Sequence, residues 1–450
     1  MRARTFDRAI FALALPALGT LATDPLVSLI DTAFVGRLGP LPLAALGVNV
    51  AVFTFVFVAF NFLAYGTTPM VAAARGRGDL EAAGRVVAHA FAIAVGAGAI
   101  ALALLTLFAE PVLRVMGAGD ALLAPASEYL RIRALAGPAL LLITAANGAF
   151  RGFQDTRTPF AVSIGVAAIN LALDPLFIFG FGWGLAGAAW ATVVAQWAGA
   201  VVFVGLVYGP QRGAWRVPLA LPTPRALAPF ARVGLALLVR TLALLGTLTA
   251  ATAVATRAGV VEVAAHQVAA QLWMFLALVI DALAIAAQAL VARYVGEGRP
   301  ADARAVADRL LTMGLALGAA LGALIWLLGP WLPRVFTDDP AVLAAVAALL
   351  PFVAAMQPLN ALVFVWDGVF VALQDFGFLA VAMLVSAAVA AALLGAVLPL
   401  GWGLPGVWWA LVGLMAARAA TMGWRYRPSG RAFEGTAPPP TALTSSDRVA

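Results

Sequence analysis

Five aspartates stand inside long apolar runs: Asp24 and Asp31 in "LATDPLVSLIDTAFVG", Asp174 in "NLALDPLF", Asp281 in "LVIDALAIA" and Asp367 in "FVWDGVF". A carboxylate held in hydrocarbon costs at least about 2.5–3.5 kcal/mol, so each is expected to bind a cation, carry a proton or pair with a base. Asp24 and Asp31 are seven residues apart, two helical turns or about 10.5 Å along one stripe. Asn170 and Asp174 are four apart and project from one helix face. Pro175 follows Asp174 and Pro25 follows Asp24; a proline removes a backbone donor, and carbonyls freed at such a break help coordinate a cation. Thr192, in the next apolar run, adds a hydroxyl to the Asn170–Asp174 group. The chemistry these residues fit is cation or proton binding, not bond breaking.

The elements that must position them are membrane helices. The chain of 450 residues is 63% hydrophobic and 11% charged, with a mean hydropathy of +0.99, whereas soluble domains carry about 25% charged residues. Its apolar stretches are long enough to cross a hydrocarbon core of about 30 Å as helices. None shows the alternation of a β-barrel strand. Twelve spans are expected, near 9–35, 43–73, 85–108, 124–150, 158–180, 185–208, 229–256, 263–292, 303–328, 341–371, 376–398 and 404–424. The first is read as a permanent span, not a cleaved leader, because its apolar region runs on to Val35. There is no Cys and no Lys, so all 28 basic residues are Arg; this excludes disulfides, thiolate catalysis, Schiff bases and the P-loop lysine. The net charge of +7 comes from arginines dispersed in short loops, a footprint of membrane topology and not of nucleic-acid binding. With the N-terminus inside, only Arg37, Arg114, Arg131, Arg133, Arg257 and Arg334 face out, which sets both termini in the cytoplasm. Arg418 is expected near the inner surface, and Arg240 either pairs with an acid or snorkels.

A repeat divides the spans. "GWGLAGAAWA" at 182–191 returns as "GWGLPGVWWA" at 401–410, and "FRGFQD" at 150–155 as "FVALQD" at 370–375. An offset near 220 after an even number of spans implies two parallel six-helix lobes related by an axis along the membrane normal, an all-α membrane fold whose lobes rock. The expected division is a first lobe over 1–208, a linker over 209–228, a second lobe over 229–424, and a disordered tail over 425–450 rich in Pro, Thr and Ser. On this register Asp24, Asp31 and Asp174 have apolar counterparts, whereas Asp281 falls on Asn61 and Asp367 on Asn147. Ion coupling is therefore expected at Asp31, Asn170, Asp174 and Thr192, with Asp24 secondary, because an Asp before Pro also serves as a simple kink. Asn61, Asn147, Asp281, Asp367 and Arg240 are expected along the substrate path.

"SLIDTAFVGRLG" at 28–39, "FRGFQDTRTP" at 150–159, "NLALDPLFIFGFGWGLAGAAWAT" at 170–192 and "AAHQVAAQLW" at 264–273 resemble the multidrug and toxic compound extrusion (MATE) transporters, in particular their DinF-like branch. The likeness runs to about Arg425. It implies that Asp31 is the family's first-span aspartate and that Asn170, Asp174 and Thr192 complete a cation or proton site. The branch with a glutamate in the seventh span is a poorer match, since that span here offers Thr241, Thr247, Thr249, Thr252 and Arg240. The expected function is an antiporter of the inner membrane that exports amphipathic organic cations in exchange for protons, with sodium at the same four residues as the alternative coupling ion. Export of organic acids and flipping of lipid-linked precursors are the alternatives. No enzyme activity, cofactor or nucleic-acid partner is expected; the chain should work as a monomer in the bilayer.

Overall fold

The computed structural model describes residues 2–220, 222–329, 331–427 and 433. In chain order the α-helices are α1 Arg2–Gly36, α2 Pro40–Val58, α3 Phe62–Gly76, α4 Leu80–Leu107, α5 Ala109–Val115, α6 Asp120–Ala134, α7 Gly137–Gly152, α8 Arg157–Pro175, α9 Gly184–Tyr208, α10 Pro210–Trp215, α11 Pro224–Ala258, α12 Val260–Gly296, α13 Pro300–Leu328, α14 Pro340–Ala372, α15 Phe376–Val397 and α16 Gly403–Tyr426. Among the described residues eleven spans are long and apolar enough to cross a membrane, and α6 with α7, bent by 46°, makes a twelfth when the pair is taken as one span. The bend lies just before Pro138, whose missing N–H cannot continue the ladder. A 3₁₀ turn at Ala59–Asn61 interrupts the second span between α2 and α3, so Asn61 sits at a break. The face at which α1 begins and α16 ends is called the terminal face below.

Two apolar cores hold the lobes. One gathers residues of α2, α3, α4, α6, α7 and α9, and the other those of α11 to α16. α1 is shared: Ile10, Leu13 and Ala14 pack into the second core, while Val35 joins a smaller cluster with α9 and Tyr129 of α6. α1 runs unbroken through Pro16 and Pro25. Pro16 leaves the carbonyl of Ala12 without its helical donor, and the buried Thr156 hydroxyl donates to that carbonyl at 3.4 Å.

The repeat is visible in the backbone. Gln154 (φ 62°) and Gln374 (φ 58°) take the same left-handed turn in the two halves. Close helix approaches recur as well. Gly98 abuts Pro138 as Gly318 abuts Pro358, and Gly148 abuts Ala64 as Gly368 abuts Ala284, each with no room for a Cβ beyond its own hydrogen. Small residues at helix crossings let backbones come together where lipid supplies no hydrophobic drive.

Two expected boundaries need correction. Residues 224–228 of the expected linker already belong to α11, and its first part is docked on the first lobe: α10 carries Trp215, whose ring stacks on Phe153 at 4.0 Å, and Arg216 turns left-handed to reach Glu81 at 3.1 Å. Arg425 and Tyr426 belong to α16 and not to the tail, because Arg425 pairs with Asp375 at 2.7 Å. Residues 428–432 and 434–450 of that tail lie outside the described residues.

Candidate functional site

A cavity of about 390 Å³ opens inside the first lobe between α1, α2, α6, α7, α8 and α9. Asp24, Asp31, Asn147, Asn170 and Thr192 all line it. The Asp24–Asp31 stripe of α1 thus faces one chamber. Asp174 lies behind the wall, fully buried, with its carboxyl against that of Asp31. Neither oxygen of Asp174, nor Oδ1 of Asp31, meets a donor. Two carboxylates are both acceptors, so this contact is a hydrogen bond only while one of them carries a proton. Next to the pair, Asn170 Nδ2 donates to Thr192 Oγ1 at 3.4 Å, and Thr192 Oγ1 donates to the Ala188 carbonyl at 3.0 Å. α8 ends at Pro175 and runs directly into a π-turn, Leu176–Gly180, in which Phe181 N–H reaches back to Leu176 at 2.8 Å. The proline therefore does not break the chain away; it widens the helix immediately beyond Asp174.

One cavity residue was missed. Arg133, expected at the outer surface, turns into the cavity. Its Nη1 donates to Gln196 Oε1 at 3.0 Å and its guanidinium lies 4.8 Å from the centre of the Phe53 ring. A charge four residues before Gly137–Pro138 reads as a loop charge, and the groups that draw it inward are on α1, α2 and α9.

The other candidates gather where the lobes meet. The Tyr65 hydroxyl donates to Asp281 Oδ2 at 3.5 Å, and the buried Arg151 lies within electrostatic reach of both. Asp367 is held by Arg240 and by Arg418 at 2.7 Å. Arg240 thus pairs rather than snorkels. Arg418 is 2% exposed and not at a surface, because the Asp367 carboxylate neutralises it inside the lobe. A carboxylate clasped by two guanidiniums is a poor ligand for a further cation, so the part expected of Asp367 in binding a cationic substrate does not fit its surroundings. Asn61 is exposed at its 3₁₀ turn, away from the cavity lining. On the terminal face the lobes are in contact: Gly76 abuts Gly296, Arg293 Nη1 donates to Gln154 at 2.9 Å, and Arg309 grips Asp7 with two bonds at 2.7 and 2.9 Å.

A family model described as MatE matches residues 16–176 and again 237–397, once in each half. The chain belongs to the MatE family. Among MatE relatives it is 36% identical to Protein DETOXIFICATION 44, chloroplastic, of Arabidopsis thaliana, over 92% of this chain and 81% of that protein. It is 35% identical to Protein DETOXIFICATION 43 of the same plant, over 93% and 90%. A crystal structure of a MATE protein in its bent conformation superposes with a TM-score of 0.85 at 23% identity, covering 93% of this chain and 94% of that one; at that identity the likeness is one of fold. The MatE assignment makes the chain a multi-pass membrane transporter of the multidrug and toxic compound type, not an enzyme.

Proposed function

We propose that this transporter is a DinF-like antiporter of the inner membrane that exports amphipathic organic cations against inward protons. The Asp31–Asp174 pair, with Asn170 and Thr192, is the coupling site, and Asp24 offers its carboxylate to the cargo. The observation that carries this reading is the donor-less contact between the half-buried carboxyl of Asp31 in the cavity wall and the buried carboxyl of Asp174 behind it, an arrangement satisfied by one proton and disturbed by its removal. The DETOXIFICATION names of the relatives agree with export. The lobes are taken as 1–216, with α10 docked on the first, and 224–426, in a monomer whose termini are cytoplasmic. Closure at the terminal face then corresponds to an outward-facing state. Protonation from outside neutralises the pair and releases the cargo; rocking exposes the pair inward, where the proton leaves.

The test is efflux of ethidium, a planar organic cation, from proteoliposomes with pH and sodium gradients imposed independently. The wild-type protein should respond to one of the gradients. Asp31→Asn should abolish ethidium-driven proton movement while leaving elution and melting unchanged. Undiminished exchange in that variant refutes the assignment.

A further inference from the structure

The first-lobe cavity already contains a cation of its own. Arg133 stands on α6 one turn after Tyr129, fixed by the Gln196 amide of α9 at 3.0 Å and the Phe53 ring of α2 at 4.8 Å. The two acids whose charge reaches it directly are Asp31 and Asp24. The titratable groups around the chamber are Asp24 and Asp31 on α1, Tyr129 and Arg133 on α6, and Asp174 on α8 behind the wall. α2, α7 and α9 line it without charge, offering Asn49, Asn147 and Gln196.

We propose that Arg133 is a tethered counter-cation that takes the electrostatic place of a coupling metal ion, so that exchange runs on protons and is indifferent to sodium. This rests on the antiport reading above and names its ion. The argument is one of charge and of ligand type. A metal ion bound at Asp31 would sit in the field of a fixed guanidinium that cannot lose its own charge. At an effective dielectric of about 20, two like charges within about 12 Å repel by about 1.4 kcal/mol or more, which is tenfold or more in affinity. A proton is not excluded in the same way. It bonds covalently to one carboxylate oxygen, needs no coordination shell, and leaves Arg133 to neutralise the acid that stays ionised. The tether also filters cargo. An organic cation drawn to Asp24 enters the field of Arg133 and competes with it for the Phe53 ring, which favours flat, weakly hydrated cations that stack as the guanidinium does.

Sodium binding to the purified protein in detergent, followed with ²²Na⁺, is measured beside ethidium efflux driven by a pH gradient with sodium or choline as the bulk cation. The wild type should show no saturable sodium binding and the same efflux in either salt. Arg133→Gln should gain saturable binding, at least about tenfold stronger than any wild-type trace, and its efflux should become faster in sodium. Arg133→Lys, which keeps the charge, should likewise show no saturable sodium binding. The proposal is overturned by saturable sodium binding in the wild type, which needs no variant to fold, or by a folded Arg133→Gln that stays indifferent to sodium. Failure of the antiport reading looks different: the wild type then moves no ethidium under either gradient, while the binding comparison still decides the role of Arg133.

Discussion

Replacing Asp367 by Asn should destabilise the second lobe far more than the loss of one charge from a surface would. Its carboxylate accepts from Arg418 at 2.7 Å, with side chains 8% and 2% exposed, and also from Arg240, which keeps 16% of its side chain accessible. The two arginines differ in what remains to them. Arg240 retains a partly open environment, whereas Arg418 is left with the Met415 sulfur at 3.6 Å and the Phe364 ring at 5.8 Å. Stranding one partner of a buried pair costs about 3–5 kcal/mol, and here the cost falls mainly on Arg418. The double variant Asp367→Asn/Arg418→Met removes the stranded charge and keeps most of the volume, so it should recover about 2 kcal/mol relative to additivity. Equilibrium unfolding in mixed micelles, titrated with SDS and followed by tryptophan fluorescence, gives both quantities in one series. A loss below about 1 kcal/mol for Asp367→Asn, or a double variant as unstable as the single ones combined, refutes the reasoning.

The repeated glycine crossings make a second prediction. Gly368→Ala places a Cβ 2.5 Å from the Ala284 carbonyl oxygen and should cost about 1–3 kcal/mol. Gly165→Ala, mid-helix in open space, should cost nothing or stabilise slightly; melting temperatures of the two variants test the contrast. A third concerns Glu297, in the turn between α12 and α13. Partial burial pushes its carboxyl up, but hydrogen bonds from Arg293 and Arg299 together with their charge overcome this and hold it below the ordinary value of 4.5. A depressed carboxyl stabilises the folded state fully above the unfolded value and loses that contribution as pH falls through its folded value. Because its partners Arg293 and Arg299 are 38% and 52% exposed and screened by solvent, the effect should stay under about 1 kcal/mol. Unfolding free energies of the wild type and Glu297→Gln should therefore converge as pH is lowered from 6 to 3 and differ most at the upper end.

The spans were legible because membrane crossing demands a long apolar run and little else, and the repeat because the turn at Gln154 and Gln374 keeps its backbone form and its letters together. Helical spacing and the cost of a buried acid marked Asn170 with Asp174 and Asp31 with Asp24, while the one-lobe asymmetry and the family resemblance joined Asp31 to Asn170 and Thr192; these three line one chamber. What the sequence hid were the answers to charges from far along the chain. Asp367 is 127 residues from Arg240 and 51 from Arg418, and nothing local marks the three as one group. Arg133 was obscured for a related reason: near a helix bend its charge resembles topology, and its true neighbours come from three other spans. The sharing of α1 between cores was equally invisible, since nothing in apolar residues such as Ile10 and Val35 marks which lobe they pack against.

The docked linker has a mechanical consequence. With Trp215 stacked on Phe153 and Arg216 tied to Glu81, the segment up to Arg216 moves with the first lobe, and α11 begins the second at Pro224. Val217 is itself buried in the first core and bonded back to Arg212, and Thr223 caps α11. The six steps of chain between these two anchors can reach at most about 20 Å, at about 3.3–3.6 Å per residue, and form a leash anchored at the terminal face. It acts as a stop on how far the lobes can part there. Lengthening it should widen the opening on that face without touching any residue of the cavity, and shortening it should lock the transporter shut there.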